Sequence, residues 1–100
     1  MVEKVKLAGG LEQTVTWVWL ENVQLKVEYY DFSEDAQRFF GNDIAYTLTV
    51  TEMDKLYLIT KLDEAKVIQW FVENFKTYFA IKKWLEENNI GFNVEIESHA

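Results

Sequence analysis

Residues 13–31, QTVTWVWLENVQLKVEYYD, contain two apolar alternations separated by a polar pair. In an extended chain successive side chains leave on opposite faces. Val23, Leu25, Val27 and Tyr29 therefore share one face, and Gln24, Lys26, Glu28 and Tyr30 the other. This half reads as a strand with one face toward water. Glu21-Asn22 supplies a two-residue turn, asparagine tolerating positive φ, and residues 13–20 form the preceding strand. That strand raises a question, because Trp17 and Trp19 lie on one side, Thr16, Val18 and Leu20 on the other, and both sides are largely apolar. Either helices cover the tryptophan face, the simpler reading, or the tryptophans form an aromatic patch for another molecule.

Working outward, Val5 and Leu7 alternate with Lys4 and Lys6 ahead of the Gly9-Gly10 turn signal, giving a short strand. On the other side, Ser33 is placed to cap a short turn, SEDAQRFF, that Gly41-Asn42 stops. IAYTLTV then alternates again, with Ile44, Tyr46, Leu48 and Val50 inward. Four strands in sequence with short links predict an antiparallel meander.

The period changes after Val50. Thr51 and Asp54 resemble a capping box, and Met53, Leu56, Ile59 and Thr60 follow helical spacing. Asp63 opens DEAKVIQWFVENF, with Val67, Trp70, Phe71 and Phe75 on one side. Thr77 is the cap for TYFAIKKWLEENN, which buries Phe79 or Tyr78 together with Ile81, Trp84 and Leu85. Residues 63–89 therefore read as one bent helix or two. Asn88-Asn89-Ile90-Gly91 ends the run with residues that tolerate the left-handed conformation. FNVEIES closes as a fifth strand, with Phe92, Val94 and Ile96 against Asn93, Glu95 and Glu97. The predicted fold is a single α+β domain over residues 1–100. It has an antiparallel sheet of about five strands, with two or three helices packed on one face.

One hundred residues at 49% hydrophobic and 16% aromatic content are enough for a packed core. No run approaches the roughly 18 uninterrupted apolar residues of a membrane span, and MVEKVKLAGG lacks the apolar stretch of a secretory signal. The absence of cysteine removes disulfides, thiol catalysis and thiolate metal sites, and fits a reducing cytoplasm. A net charge of −7 with a single arginine, Arg38, disfavours nucleic acid and anionic membranes as partners. It favours a basic protein partner, steered by charge.

Reaction chemistry finds little to stand on. The lone histidine, His99, lies one residue from the C-terminus of the sequence and has no cysteine or oriented serine to work with. Cys and His cannot supply a zinc site, and GNDIAYTLTVTE lacks the ligand spacing of a calcium loop. No phosphate-binding glycine motif is present. Glu86-Glu87, Glu95 with Glu97, and Glu34-Asp35 read as solvated surface or helix-end charge rather than as paired catalytic carboxylates. The residues thus predict no enzyme, no catalytic residue, no metal and no cofactor.

Taken as one block, Asp31, Phe39-Phe40-Gly41, Asp43, Tyr46, Thr49-Val50, Leu56 and the closing WLEENNIGFNVEI form a recognisable outline. Residues 23–96 resemble a group of small bacterial domains in which an acidic turn leads through FFG-x-D into an aromatic strand ending in TV. These domains are similar to immunity proteins encoded beside bacterial toxins. Ile44-Ala45 stands where that pattern is more aromatic and acidic, and TWVWL lies outside it. The resemblance implies a small acidic binding protein and carries over no catalytic residue.

Together these readings predict a non-catalytic binding protein, immunity-like or inhibitory, that masks a basic surface on a toxin or nuclease. Two alternatives are a small-ligand-binding or self-associating (homodimeric) module that uses the aromatic sheet face, and a phage-type inhibitor of a host nucleic-acid enzyme. The expected partner surface is the sheet face carrying Trp17, Trp19, Glu28, Tyr30, Glu95 and Glu97, with aromatic anchors bordered by carboxylates.

Overall fold

The computed structural model describes residues 4–7, 9, 14–32 and 43–99, with Asp43 and residues 97–99 described by their backbone only. The predicted turn at Gly41 and the capped segment after Ser33 lie outside the described residues. Five strands form one antiparallel sheet: β1 (Val5–Lys6), β2 (Thr14–Glu21), β3 (Gln24–Asp31), β4 (Asp43–Val50) and β5 (Phe92–His99). Their order in the sheet is their order in the chain. Three helices, α1 (Met53–Thr60), α2 (Glu64–Asn74) and α3 (Tyr78–Glu87), lie between β4 and β5 in sequence. The fold is α+β, as the change of period at Val50 predicts.

The helices cover the Thr16–Val18–Leu20 side of β2. Val18, Leu25, Val27, Leu48 and Val50 of the sheet meet Leu56 of α1, Val67 and Phe71 of α2, and Tyr78, Ile81 and Leu85 of α3 in one buried cluster. The tryptophan face therefore does not lie under the helices, contrary to the simpler reading of TWVWL. Trp70 and Trp84 pack at the rim of the core, their rings 5.4 Å apart.

The β2–β3 turn falls one residue later than predicted. Asn22 and Val23 are its two central residues, at φ of 54° and 57°, and Glu21 pairs with Gln24. Both dihedrals belong to the mirror-image turn that suits the twist of a hairpin. Asparagine tolerates this conformation, whereas a β-branched side chain there is a strained outlier. Val23, predicted to point inward, is instead 68% exposed at the tip.

Local hydrogen bonding sets the helix boundaries. Glu52, not Thr51, is the N-cap residue of α1 and makes no side-chain cap bond, so the predicted capping box does not form. Glu52 instead accepts at Oε1 from the Gly91 N–H at 2.6 Å, and the Thr51 N–H donates to the Gly91 carbonyl at 2.9 Å. These bonds tie the end of β4 to the start of β5. Residues 63–89 form two helices, separated where Phe75 turns extended. Thr77 caps the second, its Oγ1 accepting from the Ala80 N–H at 3.2 Å, as predicted. The junction is held to the sheet from below, where the Tyr78 N–H donates to the buried Oγ1 of Thr16 at 3.2 Å. Gly9 donates from its N–H to the Lys76 carbonyl at 3.1 Å. A Cβ at Gly9 would come within 2.5 Å of the Lys76 Cβ, so this close approach requires glycine.

Candidate functional site

The six residues expected to form a partner surface sit on three rows of the face turned away from the helices. One row runs Trp17, Glu28, Thr47, Glu95 across β2 to β5. A second runs Tyr30, Ala45, Glu97, and a third places Trp19 opposite Lys26. At about 4.8 Å per strand step, Trp17 and Glu95 stand roughly 14 Å apart. Sharing a face does not make these residues one cluster.

Their exposure separates them further. Trp19 is only 4% exposed: the Lys4 ammonium lies 4.3 Å from its ring centroid and its indole N–H donates to Glu21 at 2.9 Å. The cation over the π-face and the satisfied donor make Trp19 a structural residue here. It offers little surface to an incoming molecule. Glu28 lies 4.0 Å from the same Lys4 ammonium, which partly neutralises it. Trp17 and Tyr30 are half-buried, while Glu95 is exposed. Among the described residues no cation lies within ion-pair distance of Glu95.

The helix-side rows reveal a feature that sequence reasoning missed. Val18, Val27 and Leu48 are fully buried along one row, yet Val94, the next residue in that row, is 38% exposed. The neighbouring row runs from buried Thr16 through half-buried Tyr29 and Tyr46 to Ile96, which is 67% exposed. The helices thus stop short of β5. Its inner face is left beside a 53%-exposed Phe79 at the start of α3. Tyr46, Tyr78, Phe79, Lys82, Val94 and Ile96 line an open groove of about 340 Å³ there.

Aromatic stacking shapes the floor and inner wall. Tyr29 and Tyr46, directly paired across β3 and β4, stack with ring centroids 5.7 Å apart and planes 10° from parallel. Tyr78 leans on both at about 6 Å. Phe79 meets Tyr29 edge-on at 4.9 Å. Burial pushes the Tyr78 hydroxyl up to about 12, with Tyr46 and Glu86 adding to the effect. Burial likewise raises Tyr29, with Asp31 and Tyr46 adding to it. Both phenols stay neutral at physiological pH, and rings and methyl groups make up most of the groove's lining. Among the described residues Lys82 is the one charge in that lining, and its ammonium lies 3.9 Å from Glu86.

Two other depressions are less suited to an apolar contact. One, bounded by Val23, Gln24 and Thr51–Lys55, mixes polar and apolar surface in about equal measure. The other lies between Val5, Leu20 and α2 residues Glu64, Ala65, Ile68, Gln69 and Val72, where Val5, Leu20, Ile68 and Val72 already pack on the core. Among the described residues no group of three or more His, Asp or Glu is arranged to hold a metal ion, and no helix is long and apolar enough to cross a membrane.

Compared with protein-family models, with curated proteins and with solved structures, the chain shows no match. The reading of the site therefore rests on its own geometry. Val94 and Ile96 were legible as an inward-facing alternation, but alternation is the same whether helices or a partner cover the face. The one sequence signal for the groove is the pair Tyr78-Phe79. Only one of two adjacent aromatics at a helix start can point into the core.

Proposed function

We propose that this chain is a non-catalytic binding domain that masks a basic surface of a protein partner, in the manner of an immunity or inhibitory protein, and that it engages the partner at the β5 end of its sheet. The observation that carries this reading is the apolar surface formed by Phe79, Val94 and Ile96, bare at the end of two rows whose other members are buried or half-buried. Soluble monomers seldom leave contiguous apolar surface of this kind without a use for it. Aromatic groups on its floor are the types that anchor interfaces. The charge of −7, and Glu95 on the other face of β5 with no cation within ion-pair distance among the described residues, give the cationic preference. Charge brings the partner in, and the desolvated groove holds it.

The test is affinity capture in the producing cell, using the wild type and an Ile96→Lys/Phe79→Ala double variant. A basic protein held by the wild type and lost from the variant supports the proposal. A partner held equally by both, or one that presents an acidic surface, overturns it. Catalytic turnover by the isolated chain would also overturn it.

A further inference from the structure

We propose that β5 receives an extended segment of the partner as a sixth strand, and that this segment alternates lysine or arginine with apolar residues. The inference rests on the preceding reading, that a basic partner engages the β5 end, and specifies how it does so. β5 is the last strand of the sheet, and among the described residues it pairs with β4 alone. Every second residue of such a strand directs its N–H and C=O away from the sheet, ready to pair with an incoming backbone. Adding a strand is an established mode of peptide capture, in which backbone bonds give affinity and alternate side chains give specificity.

The two faces of β5 set the chemistry of those side chains. On the helix side, Val94 and Ile96 continue the rows that end in Leu48 and Tyr46, and Phe79 forms the opposite wall. A strand laid beside β5 would place alternate residues against this groove, where apolar groups complete the two rows. On the other side, Glu95 is exposed with no cation in ion-pair reach among the described residues, and Glu97 holds the next position of the same face in the register. Cationic residues at the intervening positions would stand opposite the Glu95 carboxylate, a favourable cross-strand pairing. An occupant with apolar and basic residues in alternation satisfies both faces at once.

The same charges disfavour a second copy of this chain as the occupant. In a two-fold antiparallel β5–β5 pairing, the faces match and residues of like parity meet. A register centred on Ile96 sets Glu95 opposite the second copy's Glu97, and one centred on Glu95 sets the two Glu95 residues opposite each other. Centring on Val94 leaves the two Glu95 residues on the diagonal. Each of these registers brings like charges together, which destabilises a strand pair. Inward or flanking charge on an edge strand is also a common guard against self-pairing.

The experiment uses the full chain and three synthetic octapeptides: alternating Lys-Val, the same residues in two blocks, and alternating Glu-Val. Binding is read by titration and by amide hydrogen exchange at Asn93–Ile96. The alternating Lys-Val peptide should bind about tenfold or more tighter than the block peptide, slow exchange at β5, and lose affinity when the amides facing β5 are N-methylated. Glu95→Lys, an exposed substitution, should shift preference toward the Glu-Val peptide. Equal binding of the alternating and block peptides overturns the inference, as does binding with no change in β5 exchange. Concentration-dependent dimerisation through β5 would overturn it too. If the cellular partner depends on Ile96 and Phe79 but leaves β5 exchange unchanged, strand addition fails while the binding reading stands. If capture ignores Ile96 and Phe79, both fail.

Discussion

Strands β1–β4 and the last strand, β5, are built from the same alternation, yet only the first group is covered. Val18, Leu25, Val27 and Leu48 are sealed under the helices, whereas Val94 and Ile96, in equivalent positions, are exposed. The difference lies in where the helices sit. Thr16 and Tyr78 hold the start of α3 over β2 and β3, and β5 joins the far side of β4, beyond that reach. Alternation decides which face a residue takes; the placement of the second layer decides whether that face is covered.

The largest expected effect tests this contrast directly. Phe71 is fully buried, so Phe71→Ala should cost about 4 kcal/mol by denaturant unfolding, as for a cavity under a large side chain. Ile96→Ala should change stability by less than about 1 kcal/mol, since most of the side chain is already wet. Similar losses at both positions would show that the β5 end is covered in solution.

Tyr78 lies at the seam between the two regions. Its folded pKa, about 12, exceeds the unfolded value near 10, so below pH 10 both states are protonated and the contribution is fully present. As pH rises from 10 to 12 the unfolded chain ionises first, and stability falls by roughly 2 kcal/mol, at about 1.4 kcal/mol per unit. Chemical denaturation at stepped pH measures this, and Tyr78→Phe should remove most of the fall. A wild-type curve as flat as that of Tyr78→Phe would mean that the seam admits water.

A smaller effect is expected at the hydrogen bond that anchors the seam. Thr16→Val keeps the shape and removes the acceptor for the Tyr78 N–H, leaving a buried donor unpaired at a cost of about 1–2 kcal/mol. Hydrogen exchange at Tyr78 should quicken correspondingly. Unchanged exchange would assign the placement of α3 to packing alone.

The smallest effect runs the other way. Val23→Gly relieves a β-branched residue at φ of 57° and should raise stability by about 0.5–1 kcal/mol, the relief being partly offset by a more flexible unfolded chain. Because the turn lies at the covered side, groove binding should be unaltered. Destabilisation would show that Val23 contributes packing that its exposure conceals.

Much of this architecture was legible. The β3 alternation, the change of period at Val50 and the Thr77 cap all follow from local chemistry, and they produce the elements seen. The hairpin register was not legible, for a definite reason. Moving the turn from Glu21-Asn22 to Asn22-Val23 shifts the strand pairing by two residues, which leaves every side chain on the same face. The apolar pattern is identical in both registers, and turn propensity alone points away from valine. The surroundings of the six expected surface residues were legible only in part. By register Trp17, Trp19, Glu28, Tyr30, Glu95 and Glu97 share a face, but Lys4 covers Trp19 and lies beside Glu28. A cation four residues from the chain start gives no local sign that it will settle on those side chains.

The position of the helices in the chain also bears on how the sheet is assembled. The first four strands each pair with their neighbour in sequence, but β5 reaches β4 only across the whole stretch Thr51–Gly91. Closing so long a loop is entropically costly until α1–α3 have compacted it. β5 is therefore expected to dock last. For that interval β4 would be the outer strand, with Tyr46 and Leu48 at its border. The Gly91–Glu52 and Gly91–Thr51 hydrogen bonds stand at the end where docking would start, so that pairing would extend from Phe92 along β5.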